Sequence, residues 1–309
     1  MLSVIAGPDD SDSRQFDSYD RHANVEDYTK DMENEIQGFL IGILKEGFEL
    51  PNSDSQVLSL VERVLETALP QLGVTLTPVS IPEHVGLARH IAAGMHEGDV
   101  VCAILQNFTQ FGHSDPGIPG LAEHFARALR AQSNAVLPPL WKKLLLFSEC
   151  VAEQRARGDL YTKAQRLRPT LRRAYERVFL RGAGGVDALV MPTVTCTAHA
   201  FPLLISHQIT GGEQMLTASE MKQEGPAKKV KENEYTQLRR QWHAIDLYGC
   251  DWNTVSFNLT GHPALTLPCG WLSKCENEFT VGLQLVVPHW QERRLYRIAQ
   301  KLEKFLNSR

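Results

Sequence analysis

The chain has 309 residues, 43% of them hydrophobic and 22% charged, with a net charge of −4. That balance belongs to an ordinary globular chain and excludes a collagen-like, a disordered or a disulfide-stapled miniature protein. The mildly acidic total gives no support to nucleic acid as a partner.

No apolar run approaches the roughly 20 residues of a bilayer span. The N-terminus lacks the basic region and long apolar stretch of a secretory signal, so a cytoplasmic location is expected. Six cysteines, Cys102, Cys150, Cys196, Cys250, Cys269 and Cys275, form no Cys-x-x-Cys pair. Free thiols in a reducing compartment are therefore expected, and neither a disulfide framework nor a zinc site.

Leu2–Ala6, followed by Gly7 and Pro8, reads as the last turn of a helix. Phe39–Leu44 is a short run rich in β-formers and predicts a buried strand that ends by Gly47. Asn52, Ser53 and Asp54 offer an N-cap for a helix whose apolar residues Val57, Leu60, Val61, Val64, Leu65 and Ala68 follow helical spacing. A second strand is predicted over 72–79, with Pro78 placing it near a sheet edge. This strand–helix–strand unit favours an α/β fold.

Residues 85–180 carry a helical pattern, broken over 112–120 and at Pro138–Pro139. Within it Leu167, Leu171, Tyr175, Val178 and Phe179 form an apolar stripe opposite a crowd of arginines, and Pro169 is expected to start or kink that helix. Val186–Pro192 predicts a third strand. Residues 211–243 are polar and charged and read as a surface insertion. Strands over 263–268 and 281–287, joined by a polar loop, precede a last amphipathic helix carrying Leu295, Ile298, Ala299, Leu302 and Phe305.

Charge is unevenly spread. Residues 1–66 hold 15 acidic and 5 basic side chains, whereas residues 155–181 hold 9 basic and 2 acidic ones. The two regions read as solvated faces of opposite sign, or as faces docked on each other.

Chemistry-bearing motifs are scarce. The glycines Gly182, Gly184 and Gly185 follow a helix and precede a strand, the reverse of a nucleotide-binding order, and read as a helix terminator. His84, His90 and His96 lie six apart and scatter around a helix, so no metal is expected. No Gly-x-Ser-x-Gly occurs, and Ser219–Lys222 matches Ser-x-x-Lys without its companion motifs. Cys196 with His199, and Cys269 before Gly270, read as packed thiols for want of an oxyanion hole. Composition and spacing assign no catalytic residue and no cofactor.

Several blocks do match a family in order. Val186–Thr193, Phe257–Gly270 and Val281–Val287 resemble the C-terminal half of amidase-signature enzymes, and Ile5–Asp12 resembles the segment that follows their signature region. Phe39–Gly47 and Tyr161–Arg168 resemble bacterial and fungal amidases of small amides. The glutamyl-tRNA amidotransferase A-subunit group belongs to the same resemblance.

The resemblance implies a mixed β-sheet flanked by helices and hydrolysis of a C–N bond in a small or aromatic amide. Family chemistry uses a Ser nucleophile, a second Ser in a cis peptide bond and a Lys. No Gly/Ser-rich block of that kind occurs in these 309 residues, so none of the three is assigned here. The resemblance thus implies one amidase-like domain over 1–309, corresponding to the C-terminal portion of the fold and inactive alone.

On the substrate side, the resemblance assigns the turn Pro192–Thr193 and the segment holding Asp251, Asn253 and Thr254 to the border of the acyl pocket. Asp251 reads equally as a substrate-orienting acid, as in the glutamine-using relatives, and as a helix N-cap. The expected partners are a small-molecule amide and, through an exposed sheet edge, a second copy or a complementing chain. The other reading is a non-catalytic ligand-binding or assembly protein derived from an amidase.

Overall fold

The computed structural model describes residues 2–7, 27–51, 53–100, 127, 159–180, 184–198, 252–274 and 277–308. The first element, α1 (Leu2–Ile5), is a single turn closed by the Ala6 amide on Leu2 O at 2.8 Å. Strand β1 (Leu40–Leu44) runs into a 3₁₀ turn over Lys45–Gly47. Helix α2 (Ser55–Gln71) follows, started by Asp54, whose carboxylate accepts the Gln56 amide hydrogen. Strand β2 (Thr75–Val79) and helix α3 (Glu83–Val100) complete the first half of the described chain.

Helix α4 (Asp159–Phe179) leads to strand β3 (Ala188–Pro192). Then come α5 (Trp252–Thr260), β4 (Ala264–Lys274), β5 (Asn277–Val286) and α6 (Glu292–Asn307).

Among the described residues, five strands form one sheet in the order β2-β1-β3-β5-β4. Strands β2, β1 and β3 are parallel, and β5 joins β3 antiparallel, with β4 beside it. The sheet is therefore mixed. Strand β2 lies at an edge, where Pro78 costs no ladder hydrogen bond on the open side.

Alternation along the strands sends residues to two separate cores. Ile41, Ala188, Val190, Leu283 and Leu285 face α2 and α6, and pack on Leu60, Val61, Leu65, Leu295 and Ile298. Leu44, Leu189 and Met191 face α3, α4 and α5, and pack on Ile91, Leu171, Tyr175 and Phe257. Strand β3 is buried along its whole length because both of its faces are covered. The result is a three-layer helix–sheet–helix sandwich.

Three expectations are corrected. Helix α4 does not start at Pro169; it passes through it, held by the buried Ala164, Leu171, Ala174 and Tyr175 on its inner face. Leu167 departs from the stripe and is 36% exposed. Residues 269–274 and 277–280 are strand rather than loop, in register from Gly270 opposite Val281 to Lys274 opposite Asn277 after an irregularity between Pro268 and Gly270. The polar side chains there hid a period-2 pattern on a half-exposed hairpin.

Among the described residues, the acids Asp31, Glu33 and Glu35 dock on α6 rather than on the arginine-rich α4. Asp31 pairs with Arg293, Glu33 with Lys304 at 2.7 Å, and Glu35 with Lys301 at 2.6 Å. Helix α4 keeps its own pair, Arg172 with Glu176, and one link to α3 through Arg177 and Glu83. After α4 the chain turns at Gly184, whose φ of +80° lies in the left-handed region that favours glycine. Beside it, a Cβ on Gly185 would meet Leu180 O at 2.2 Å. This supports the helix-terminator reading of the cluster. The breaks over 112–120 and 138–139 and the insertion over 211–243 lie outside the described residues.

Candidate functional site

In open α/β sheets, ligands are taken at the carboxyl ends of the parallel strands, where loops diverge. Here those ends are Gly47 after β1, Ser80 after β2, and Pro192 at the end of β3. One buried side chain ties two of them together. Asn253, 0% exposed in the first turn of α5, donates from Nδ2 to Gly47 O at 2.9 Å and to Pro192 O at 2.7 Å.

Those two bonds use both amide hydrogens of Asn253, so its Oδ1 is the group facing His84 Nε2 at 2.8 Å. That assignment makes Nε2 the protonated ring nitrogen, and leaves Nδ1 to accept from the Tyr175 hydroxyl at 2.5 Å. Burial pushes the His84 imidazole below its ordinary value, against the opposing pull of Asn253 and Glu46, and so keeps it neutral. Burial likewise raises the Tyr175 phenol, which stays a donor. The network continues through Ser256, whose hydroxyl donates to His84 O at 3.0 Å. It also takes in Gln284, whose Nε2 donates to the Asn253 carbonyl at 2.9 Å.

Space is made for this clip by glycine. A Cβ on Gly47 would lie 2.9 Å from Met191 Cβ and 3.3 Å from Asn253 Oδ1. Next to it, Glu46 receives the Ser80 hydroxyl at 2.5 Å and the Ile81 amide at 2.9 Å. Burial raises its carboxyl, but these hydrogen bonds outweigh that and hold it below the usual range, charged and fixed. All three parallel-strand ends are thereby locked.

Thr193 follows directly. Its amide donates to Gly282 O at 2.9 Å and its hydroxyl to Thr266 Oγ1 at 3.1 Å. A Cβ on Gly282 would meet Thr193 Oγ1 at 2.9 Å, so only glycine lets β5 approach this turn. Of the residues assigned to the acyl pocket, Pro192, Thr193 and Asn253 are brought into one cluster. Thr254 is half-buried on the same helix. Asp251 lies outside the described residues.

Asn253 has every polar group of its side chain engaged, so it acts by holding the Gly47 and Pro192 carbonyls in place. Neither His84 nor Tyr175 stood out in the sequence. Gln284 did carry a signal: a lone amide inside the apolar run Val281–Val287 demands a buried partner.

Burial pushes Cys269 up to about 12, and Cys196 is half-buried. His199, its sequence neighbour, lies outside the described residues. Among the described residues no group of three His, Cys, Asp or Glu side chains is placed to hold a metal ion.

A mixed sheet between two helix layers is the architecture of solved amidase-signature enzymes. A bacterial aryl acylamidase of the amidase signature enzymes shares this fold with a TM-score of 0.56 at 18% identity, over 94% of this chain and 48% of that one. The peptide amidase of Stenotrophomonas maltophilia does so with a TM-score of 0.55 at 20% identity, over 98% and 50%.

Residues 1–210 match the Amidase family model, and the chain belongs to that family. It is also similar to curated relatives that are A subunits of glutamyl-tRNA(Gln) amidotransferase. The protein from Halothermothrix orenii is 26% identical over 99% of this chain and 53% of its own length. That from Synechococcus sp. strain RCC307 is 26% identical over 98% and 52%. The chain spans about half the length of the curated relatives it matches. No described helix is long and apolar enough to cross a membrane.

Proposed function

We propose that these 309 residues form the substrate-facing portion of an amidase that hydrolyses the C–N bond of a small or aromatic amide, and that turnover requires a Ser-Ser-Lys region contributed by other residues. The observation that carries this reading is the Asn253 clip, which fixes the Gly47 and Pro192–Thr193 turns side by side at the ligand-binding end of the sheet. In this reading Thr193, Thr254 and Asp251 border the acyl group, while Pro192 and Asn253 position the wall behind it. The amidotransferase relatives are themselves subunits, which supports a complementing chain as the source of the missing chemistry. Cys196 and Cys269 form no disulfide among the described residues, which suits a reducing compartment such as the cytoplasm.

Removing a hydrolase's nucleophile removes most of its rate enhancement. The purified 309-residue chain is therefore expected to resist a fluorophosphonate serine probe and to leave 4-nitroacetanilide intact. A labelled serine mapped by mass spectrometry, with turnover lost on its mutation, would place the nucleophile inside these residues and overturn that part of the reading. Co-expression with the nucleophile-bearing half of a family member tests the rest: anilide turnover appears, and Thr193→Val lowers it.

The non-catalytic assembly reading is favoured by one feature. Trp271, on the edge strand β4, is 63% exposed. Sedimentation of the chain alone discriminates: a stable homo-oligomer that fails to take up a complementing half supports assembly over catalysis.

A further inference from the structure

The opposite end of the sheet holds a cavity of about 390 Å³, formed where the chain enters β1 and α6. Phe39, just before β1, and Trp290, just before α6, form aromatic walls, and Arg293, Arg294 and Arg297 line the rest with Asp31. Five residues of β1, at roughly 3.3 Å each, place it about 16 Å from the Gly47 turn. It is thus a separate site from the Asn253 clip.

The arginines differ in what already occupies them. Arg293 is paired with Asp31, and Arg294 reaches Asp187 Oδ1 at 3.4 Å. Arg297 meets no carboxylate among the described residues. Its Nε donates to Asn34 O at 3.1 Å and its guanidinium lies 5.1 Å from the centre of the Phe39 ring. That stacking holds the group rigid while both Nη nitrogens keep their hydrogens for another acceptor. Trp290, 47% exposed, sits at a φ of +63°, a conformation bulky residues adopt mainly where the surroundings impose it, as at ligand clamps.

We propose that this cavity binds a small aromatic carboxylate, its ring against Trp290 and its carboxylate on the Arg297 fork. A single ring system with one carboxylate matches the one Arg297 fork and the volume, which lies in the range of small-molecule sites. Planar arginine forks suit carboxylates in a two-pronged manner.

The experiment is calorimetric titration of the full 309-residue chain with 1-naphthoate, with 1-naphthalenemethanol and inorganic phosphate as separate titrants. The acid is expected to bind at least about tenfold more tightly than either, and Arg297→Gln to cost about tenfold in affinity, the worth of one charge-assisted bond. Trp290→Leu is expected to weaken naphthoate while leaving the melting temperature within a few degrees. Equal binding of the alcohol removes the anion site, and equal binding of phosphate removes the aromatic one. Undiminished binding in both variants, or no binding at millimolar naphthoate, overturns the proposal outright.

Discussion

Asn253 carries more of the site's order than any other residue, because its one amide group satisfies two strand-end carbonyls and an imidazole. Replacing it by alanine leaves Gly47 O, Pro192 O and the His84 Nε2 hydrogen buried without partners. Each orphaned group costs about 1–3 kcal/mol, partly relieved by water entering the gap. Asn253→Ala is therefore expected to lose about 2–5 kcal/mol of unfolding free energy in a urea titration. A loss under about 1 kcal/mol would mean that the clip is dispensable.

A second histidine sets the acid response. His262 is boxed in by Tyr175, Phe179 and His289, with ring centres 5.5, 5.6 and 3.9 Å away. Burial, helped by the His289 and Arg172 charges, lowers its imidazole to about 3 from an ordinary 6.5. Between those values the unfolded chain takes up a proton that the folded one refuses. Its contribution is complete above pH 6.5 and is lost as pH falls toward 3, and buried His84 acts in the same sense. Melting temperature is expected to drop on acidification from about pH 7 to about pH 4.5, and to drop less in His262→Phe. Identical slopes in the two proteins would exclude His262 as the cause.

At the scale of elements, α4 shows packing overriding local preference. Pro169 removes a helical hydrogen bond and crowds the preceding turn, yet the helix continues because its inner face is sealed against α3 and α5. Pro169 itself is exposed, so its ring contributes nothing to the core. Pro169→Ala is expected to stabilise the chain by about 1–3 kcal/mol, read as a higher melting temperature. No change, or a loss, would show that the proline fits a bend the fold needs. Helix α6 illustrates the opposite case, where every level agrees. Its apolar face, its acidic first turn with Glu292 and its basic last turn with Lys304 all favour the same helix.

For the whole molecule, the elements with strong local period were legible from sequence. Strand β1 lies within a residue of its expected bounds, α2 is capped at the expected Asp54, and α6 buries most of its expected apolar stripe, since each buries one regular face. The family and the mixed sheet were legible from the order of short blocks, even though each block alone is common. What was not legible depends on distance along the chain. Tyr175 reads as one more apolar position of a stripe and His84 as one of several scattered histidines, yet they are partners 91 positions apart. The hairpin beyond Gly270 was missed because its exposed face is polar, and the pairing of the first acids with α6 because charge patterning carries no address.

The clip has a consequence for biosynthesis. Asn253 meets Gly47 206 positions upstream, His84 169 upstream and Pro192 61 upstream, and Gln284 joins it 31 positions further on. A ribosome emits the chain from its N-terminus, so the parallel strands emerge long before the amide that ties their ends. Until residue 253 leaves the exit tunnel, the carbonyls of Gly47 and Pro192 lack their native partner. A nascent chain stalled before that point would hold β1 and β3 with their ends untied, the state most open to pairing with the wrong strand.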